Sequence, residues 1–136
     1  MDYWNDLLGK VKKENEDTLR MARLVTLIID VDTAVQHQAV VGLGQMKTLQ
    51  AAMVLKDVVR SHPDESCRQT ALYWLCRNAD ENPAVQVTAN EALCFALETA
   101  DPLVRMDAAW NLIQSKRRNP VVVEPLLRAL ETSQEQ

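Results

Sequence analysis

Few residues of this sequence could do covalent or metal chemistry, and they are dispersed. The only two histidines are His37 and His62. Neither is matched with cysteines at the spacing of a zinc site, which takes four Cys, His or carboxylate ligands. The three cysteines, Cys67, Cys76 and Cys94, are spaced by 9 and 18 residues and form no C-x-x-C pair. An odd number cannot close a full disulfide framework, so they read as small core thiols in a reducing compartment. Cys67 is the cysteine nearest a histidine. A nucleophilic thiol needs a base and an orienting acid, whereas Cys67 falls in an apolar, inward position of its helix. Acidic residues are scattered over helix starts and polar faces, with no paired-carboxylate arrangement. No P-loop or dinucleotide fingerprint is present, and Gly42-Leu43-Gly44 ends a helix instead of following a strand. The expectation is a chain with no catalytic, metal or cofactor site.

Charge narrows the partners. The formal net charge is −4, which disfavours a nucleic-acid backbone or an anionic membrane, both of which attract basic surfaces. The basic runs Lys116-Arg117-Arg118 and Lys10-Val11-Lys12-Lys13 each end a predicted helix, where cations are favoured by the free carbonyls and the helix dipole. No basic and apolar signal segment opens the chain. The longest apolar stretch, near residues 24–31, is too short to cross a bilayer. A cytoplasmic protein is expected.

The elements that would position any site are helices. Three Asx-Pro pairs, Asn82-Pro83, Asp101-Pro102 and Asn119-Pro120, follow one another at 19 and 18 residues. Asn or Asp caps the free amides of a helix start, and Pro fits the first turn because its missing N–H had no partner there. Asp32, Thr48 and the stretch His62-Pro63-Asp64 supply further starts. Apolar residues recur at helical spacing between them, predicting eight helices at about 2–14, 17–30, 33–46, 48–60, 64–78, 83–99, 102–115 and 120–132. Pro125 leaves a kink or a late start open for the last.

Four of these segments share a frame: an apolar residue, Arg or Gln, two variable residues, Ala, three variable residues, Leu. They begin at Val35, Cys67, Val85 and Val104. Ala fits where helices approach closely, and Leu four residues on lies on the same face. Asp32, Asp64 and Asp101 precede three of the frames, each four residues before the Gln or Arg. Such an Asp can cap the helix or meet the Arg one turn later.

In these motifs the chain resembles the HEAT-like repeats of phycobilisome-lyase-type proteins. Val123-Glu124-Pro125-Leu126-Leu127 matches that family's first helix, Asp101-Pro102-Leu103-Val104-Arg105 its turn, and Val35 to Gly44 its second helix. Gln36 and Gln86 depart from the family's Arg, and the frame over 83–99 falls where a first helix is due. The resemblance covers about residues 32–131. It implies an all-α fold, a short right-handed α-solenoid of about four stacked helix pairs. Residues 1–14 would form an N-terminal capping helix and 15–136 the helical repeat domain.

Such stacks expose an extended binding surface. The expected function is a non-enzymatic protein–protein interaction or scaffold module. The second-helix positions Gln36, Arg68, Trp74, Arg105 and Asn111 are the candidate partner contacts. Arg68 and Arg105 alternatively join a ladder with Asp64 and Asp101. Trp74 and Trp110 either line the binding surface or plug grooves between helices. The family also implies an alternative, a bilin lyase or phycobiliprotein-chaperone-like subunit. A homodimer through the end helices 2–14 and 120–132 would cover their apolar stripes.

Overall fold

A computed structural model describes residues 2–99 and 101–115, together with Glu124, Pro125, Leu127, Arg128 and Glu131. The side chains of 2–5, 7, 8, 10–12 and 14 lie outside that description. Among the described residues up to 115, six α-helices follow one another: α1 (Asp2–Leu27), α2 (Thr33–Met46), α3 (Leu49–Ser61), α4 (Glu65–Glu81), α5 (Gln86–Glu98) and α6 (Pro102–Gln114), with a 3₁₀ turn, Pro83–Val85, leading into α5. No strand occurs among the described residues. The five described beyond α6 are also helical, while the Asn119-Pro120 start lies outside the described residues.

Local chemistry sets the helix starts. Asp32, Thr48, Asp64 and Asp101 each cap a helix by accepting a backbone N–H, from Ala34, Ala51, Cys67 and Leu103 respectively. Asn82 does the same for the 3₁₀ turn, accepting from Ala84. Each cap satisfies one of the amides that a helix start leaves without a partner. Lys47 closes α2 with φ 58°, in the left-handed region, so that two residues suffice to reverse the chain into α3.

One boundary differs from the sequence reading. The predicted helices 2–14 and 17–30 are a single helix, α1, of 26 residues. The polar run Lys12-Lys13-Glu14-Asn15-Glu16-Asp17 carries no Gly or Pro, and most of its residues are ordinary helix formers. Polarity without a breaker residue does not end a helix. A boundary between 14 and 15 therefore falls inside a continuous helix.

The helices pack in two rows. In one, α2 lies against α4 and α4 against α6; in the other, α3 lies against α5. Neighbours in sequence also touch, so each of α2, α3 and α4 packs on the next helix and the next but one. α1 packs on α2. The result is an all-helical architecture with the packing of a helical bundle or solenoid.

The core runs between the rows. The frame's alanines, Ala39, Ala71, Ala89 and Ala108, are all buried, as are Leu43, Leu75 and Leu93. Small residues there let the helices approach closely. Gly42 and Gly44 extend the logic along α2. A Cβ on Gly42 would reach within 2.9 Å of Leu24 on α1, and one on Gly44 would run into the indole of Trp74 on α4. The apolar pattern misplaced some residues. Near the end of α1, Ile28 is buried, with Met21, Leu24 and Leu27 packed beside it, whereas Leu19, Val25 and Ile29 are exposed. Leu49, Met53 and Ile113 also face outward.

Candidate interaction surface

The second position of the shared frame reaches back over the preceding turn. Nη1 of Arg68 donates to the carbonyl of His62 at 2.6 Å, and Nη1 of Arg105 to that of Thr99 at 2.9 Å. Nε2 of Gln36 donates to the carbonyl of Asp30. All three bonds span six residues. In α5, Nε2 of Gln86 reaches the carbonyl of Ala79 at 3.4 Å, seven residues back. Carbonyls at or just beyond a helix end lack intrahelical donors, and a long amide or guanidinium side chain supplies one. The frame is thus a device that ties each helix start to the chain before it.

This places the five candidate contacts. Gln36 and Arg68 are half-buried and spend a polar atom on a turn. Arg105 is 4 % exposed and Asn111 is 7 % exposed, so both offer almost no surface. Asn111 donates to the carbonyl of Asp107, one turn back on its own helix, at 2.9 Å. Trp74 is half-buried against Gly44 and meets Tyr73 edge-on, ring centres 5.7 Å apart. It fills the groove between α2 and α4. The structure does not bring these five together on one face, and they form no Asp/Arg ladder. The Asp64 and Asp101 carboxylates accept helix N–H groups, while the arginines take carbonyls.

Two shifted titratable groups, Cys67 and Asp64, face each other at the start of α4. The buried Cys67 thiol is pushed up to about 11, chiefly by burial and then by the Asp64 carboxylate beside it. It remains a thiol at neutral pH and is a poor nucleophile. Asp64 is held below the usual carboxylate range by the Cys67 backbone N–H and then the Cys67 thiol. His62 is buried between two partners. The Asp64 N–H donates to Nδ1 at 3.0 Å, so the proton is assigned to Nε2, which lies 3.1 Å from the Ile28 carbonyl. His62 therefore ties the end of α1 to the turn before α4. An open groove of about 330 Å³ beside it is lined by Arg60, His62, Arg68, Phe95, Thr99 and Asp101. Its polar groups are engaged within the fold: Arg60 stacks over Phe95 at 5.6 Å, and Arg68 and Asp101 hold the turns. Among the described residues no group of three His, Cys, Asp or Glu side chains could hold a metal ion. None of the described helices is long and apolar enough to cross a membrane.

What remains is surface. The outer face of α6 presents Leu103 at 60 %, Met106 at 64 %, Trp110 at 61 % and Ile113 at 71 % exposed. Tyr73 continues the exposed aromatic character on α4, with Arg77 stacked over its ring at 5.1 Å. The sequence reading assigned no surface role to Leu103, Met106 or Ile113. Their spacing of 3, 4 and 3 residues was the available signal, because it defines a second stripe opposite the frame. Trp74 and Trp110 differ by one position in the frame. One position turns a helix by about 100°, enough to separate a groove residue from a surface residue. Compared with family models, curated proteins and solved structures, the chain matches none.

Proposed function

We propose that this chain is a non-enzymatic protein-interaction module, a short right-handed stack of HEAT-like helix pairs that presents the outer face of the α2–α4–α6 row to another protein. Hydrogen bonds that span almost one interval favour the stacked-pair reading. His37 to Thr70, Gly44 to Asn78, Lys47 to Asn82 and Asp80 to Ser115 cover 33, 34, 35 and 35 residues. Equal intervals arise when each pair of helices repeats the placement of the pair before it. We place such a module in the cytoplasm.

The observation that carries the function is the concentration of exposed large apolar side chains on one face, Tyr73, Leu103, Met106 and Trp110. Contiguous exposed apolar surface on a folded protein marks an interaction site, and tryptophan and tyrosine are favoured at binding hot spots. A photo-crosslinking residue at position 110 tests this in cells, with one at the exposed Asp57 on α3 as control. Protein adducts specific to position 110 are expected, and Met106→Glu should remove them. Equal labelling from both positions overturns the reading.

A further inference from the structure

The four outward side chains of α6 are not matched as a set on α2 or α4. Aligned on the shared frame, Leu103 corresponds to Ala34 and Ser66, and Met106 to His37 and Gln69. Trp110 corresponds to Val41 and Tyr73, and Ile113 to Gly44 and Cys76. Only α6 is large and apolar at all four. Gly44 and Cys76 are buried, Gly44 against Trp74 of the next helix in the row, while Ile113 in the same position is open. The full stripe is therefore a property of α6 and not of the frame. Among the described residues beyond α6, Arg128 pairs with Glu98 of α5, in the other row.

From this geometry we infer that α6 is a self-association helix, and that the occupant of its outer stripe is a second copy of this chain packed antiparallel about a two-fold axis. The spacing of 3, 4 and 3 is that of alternating core positions in a two-stranded coiled coil. With the axis level with Ala108, Leu103 meets Ile113 of the second copy and Met106 meets Trp110 of the second copy. Each apolar side chain then finds an apolar partner, as a two-fold interface requires. The small residues Pro102 and Ala109 on one flank let the helices approach. Antiparallel packing opposes the helix dipoles. A parallel pair would align the two helix dipoles instead. One unfavourable pair remains: the two Asp107 carboxylates fall near the axis, each turned toward its own α4.

Size sets the strength. The four side chains expose on the order of 500 Å² per copy, a large patch for a monomer. That is below the ~800 Å² per partner of a standard interface. A weak, dissociating dimer follows. This inference rests on reading the α6 face as an interaction surface, and the experiment separates the two.

Sedimentation of the full chain across a concentration series should show the mean mass climbing from 15.4 kDa toward twice that value. Trp110→Glu should hold it at the lower value with an unchanged helical circular dichroism spectrum, and Asp107→Asn should shift the midpoint to lower concentration. Orientation is read by mixing Leu103→Cys protein with Ile113→Cys protein under mild oxidation. Mixed disulfides between the two are expected, and homodisulfides at 103 alone would mean a parallel pair and overturn the arrangement. A wild-type mass fixed at the monomer throughout overturns self-association. In that event an adduct from position 110 to a different protein still sustains the interaction module.

Discussion

α4 and α6 are built on one plan and end differently. Each starts with an Asp cap, sends an Arg Nη1 back to a carbonyl six residues earlier, and buries the same Ala. Yet α4 carries its tryptophan in the α2–α4 groove, and α6 carries its own in the open. Cys76 is buried where Ile113 is exposed. What separates them among the described residues is place in the row: α4 lies between α2 and α6, and α6 has only α4 beside it in that row. The frame fixes the inward face of a helix, and neighbours decide what happens to the rest.

Substituting the two tryptophans gives the largest contrast. Trp74→Ala should cost about 3 kcal/mol, because it empties a packed groove, while Trp110→Ala in dilute protein should stay within about 0.5 kcal/mol. Urea unfolding of both variants measures the gap, and equal losses would erase the distinction. Next comes Gly44→Ala, which forces a Cβ into Trp74. A cost of about 2 kcal/mol is expected for overpacking, and combining it with Trp74→Leu should recover part of that loss in a double-mutant cycle.

The two clamping arginines sharpen the comparison further. Arg68→Met should cost about 1 kcal/mol for one lost hydrogen bond at a half-buried site. Arg105 is more deeply buried, and its Nε and Nη2 have no hydrogen-bond partner among the described residues. Replacing a buried, incompletely bonded charge with an apolar chain of similar length offsets the lost bond. Arg105→Met should therefore be closer to neutral than Arg68→Met, as thermal melts of the pair would show.

The smallest effect belongs to Asp107. Its pKa is raised by burial and then by Glu65 across the α4–α6 contact. A carboxyl raised in the fold stabilises only while protonated, and that contribution disappears as pH rises through the raised value. At pH 7 Asp107→Asn should gain a few tenths, within about 0.5 kcal/mol. The difference should vanish below the ordinary aspartate pKa of about 3.9. A gain that persists in acid would assign the effect to something other than charge.

Much of the fold was legible because caps and close approaches are local. Asp32, Thr48, Asp64, Asn82 and Asp101 announce helix starts through chemistry complete within three residues. Ala71 and Leu75 show their burial by spacing alone. The single α1 was hidden because charge was taken for a break where no breaker residue stood. The surface was harder. Leu112 and Ile113 are adjacent and both apolar, yet one packs on the core and the other is exposed. Periodicity finds an apolar stripe but not what lies against it, and α6 has two. The arginines of the frame misled for a related reason. Their type suits recognition of a partner and suits a backbone carbonyl equally, and only the position of the turn decides between them.

The near-constant interval of the cross-helix hydrogen bonds bears on how the chain reaches this state. Bonds such as Ile28 to His62 and Lys56 to Glu91 close loops of 34 and 35 residues, and none of the described helix contacts joins elements more than two helices apart. Closing each such loop carries a similar entropic cost, since that cost grows only with the logarithm of length. No distant segment must be found before contacts begin to reward folding. Contacts this local allow the rapid folding that goes with low contact order.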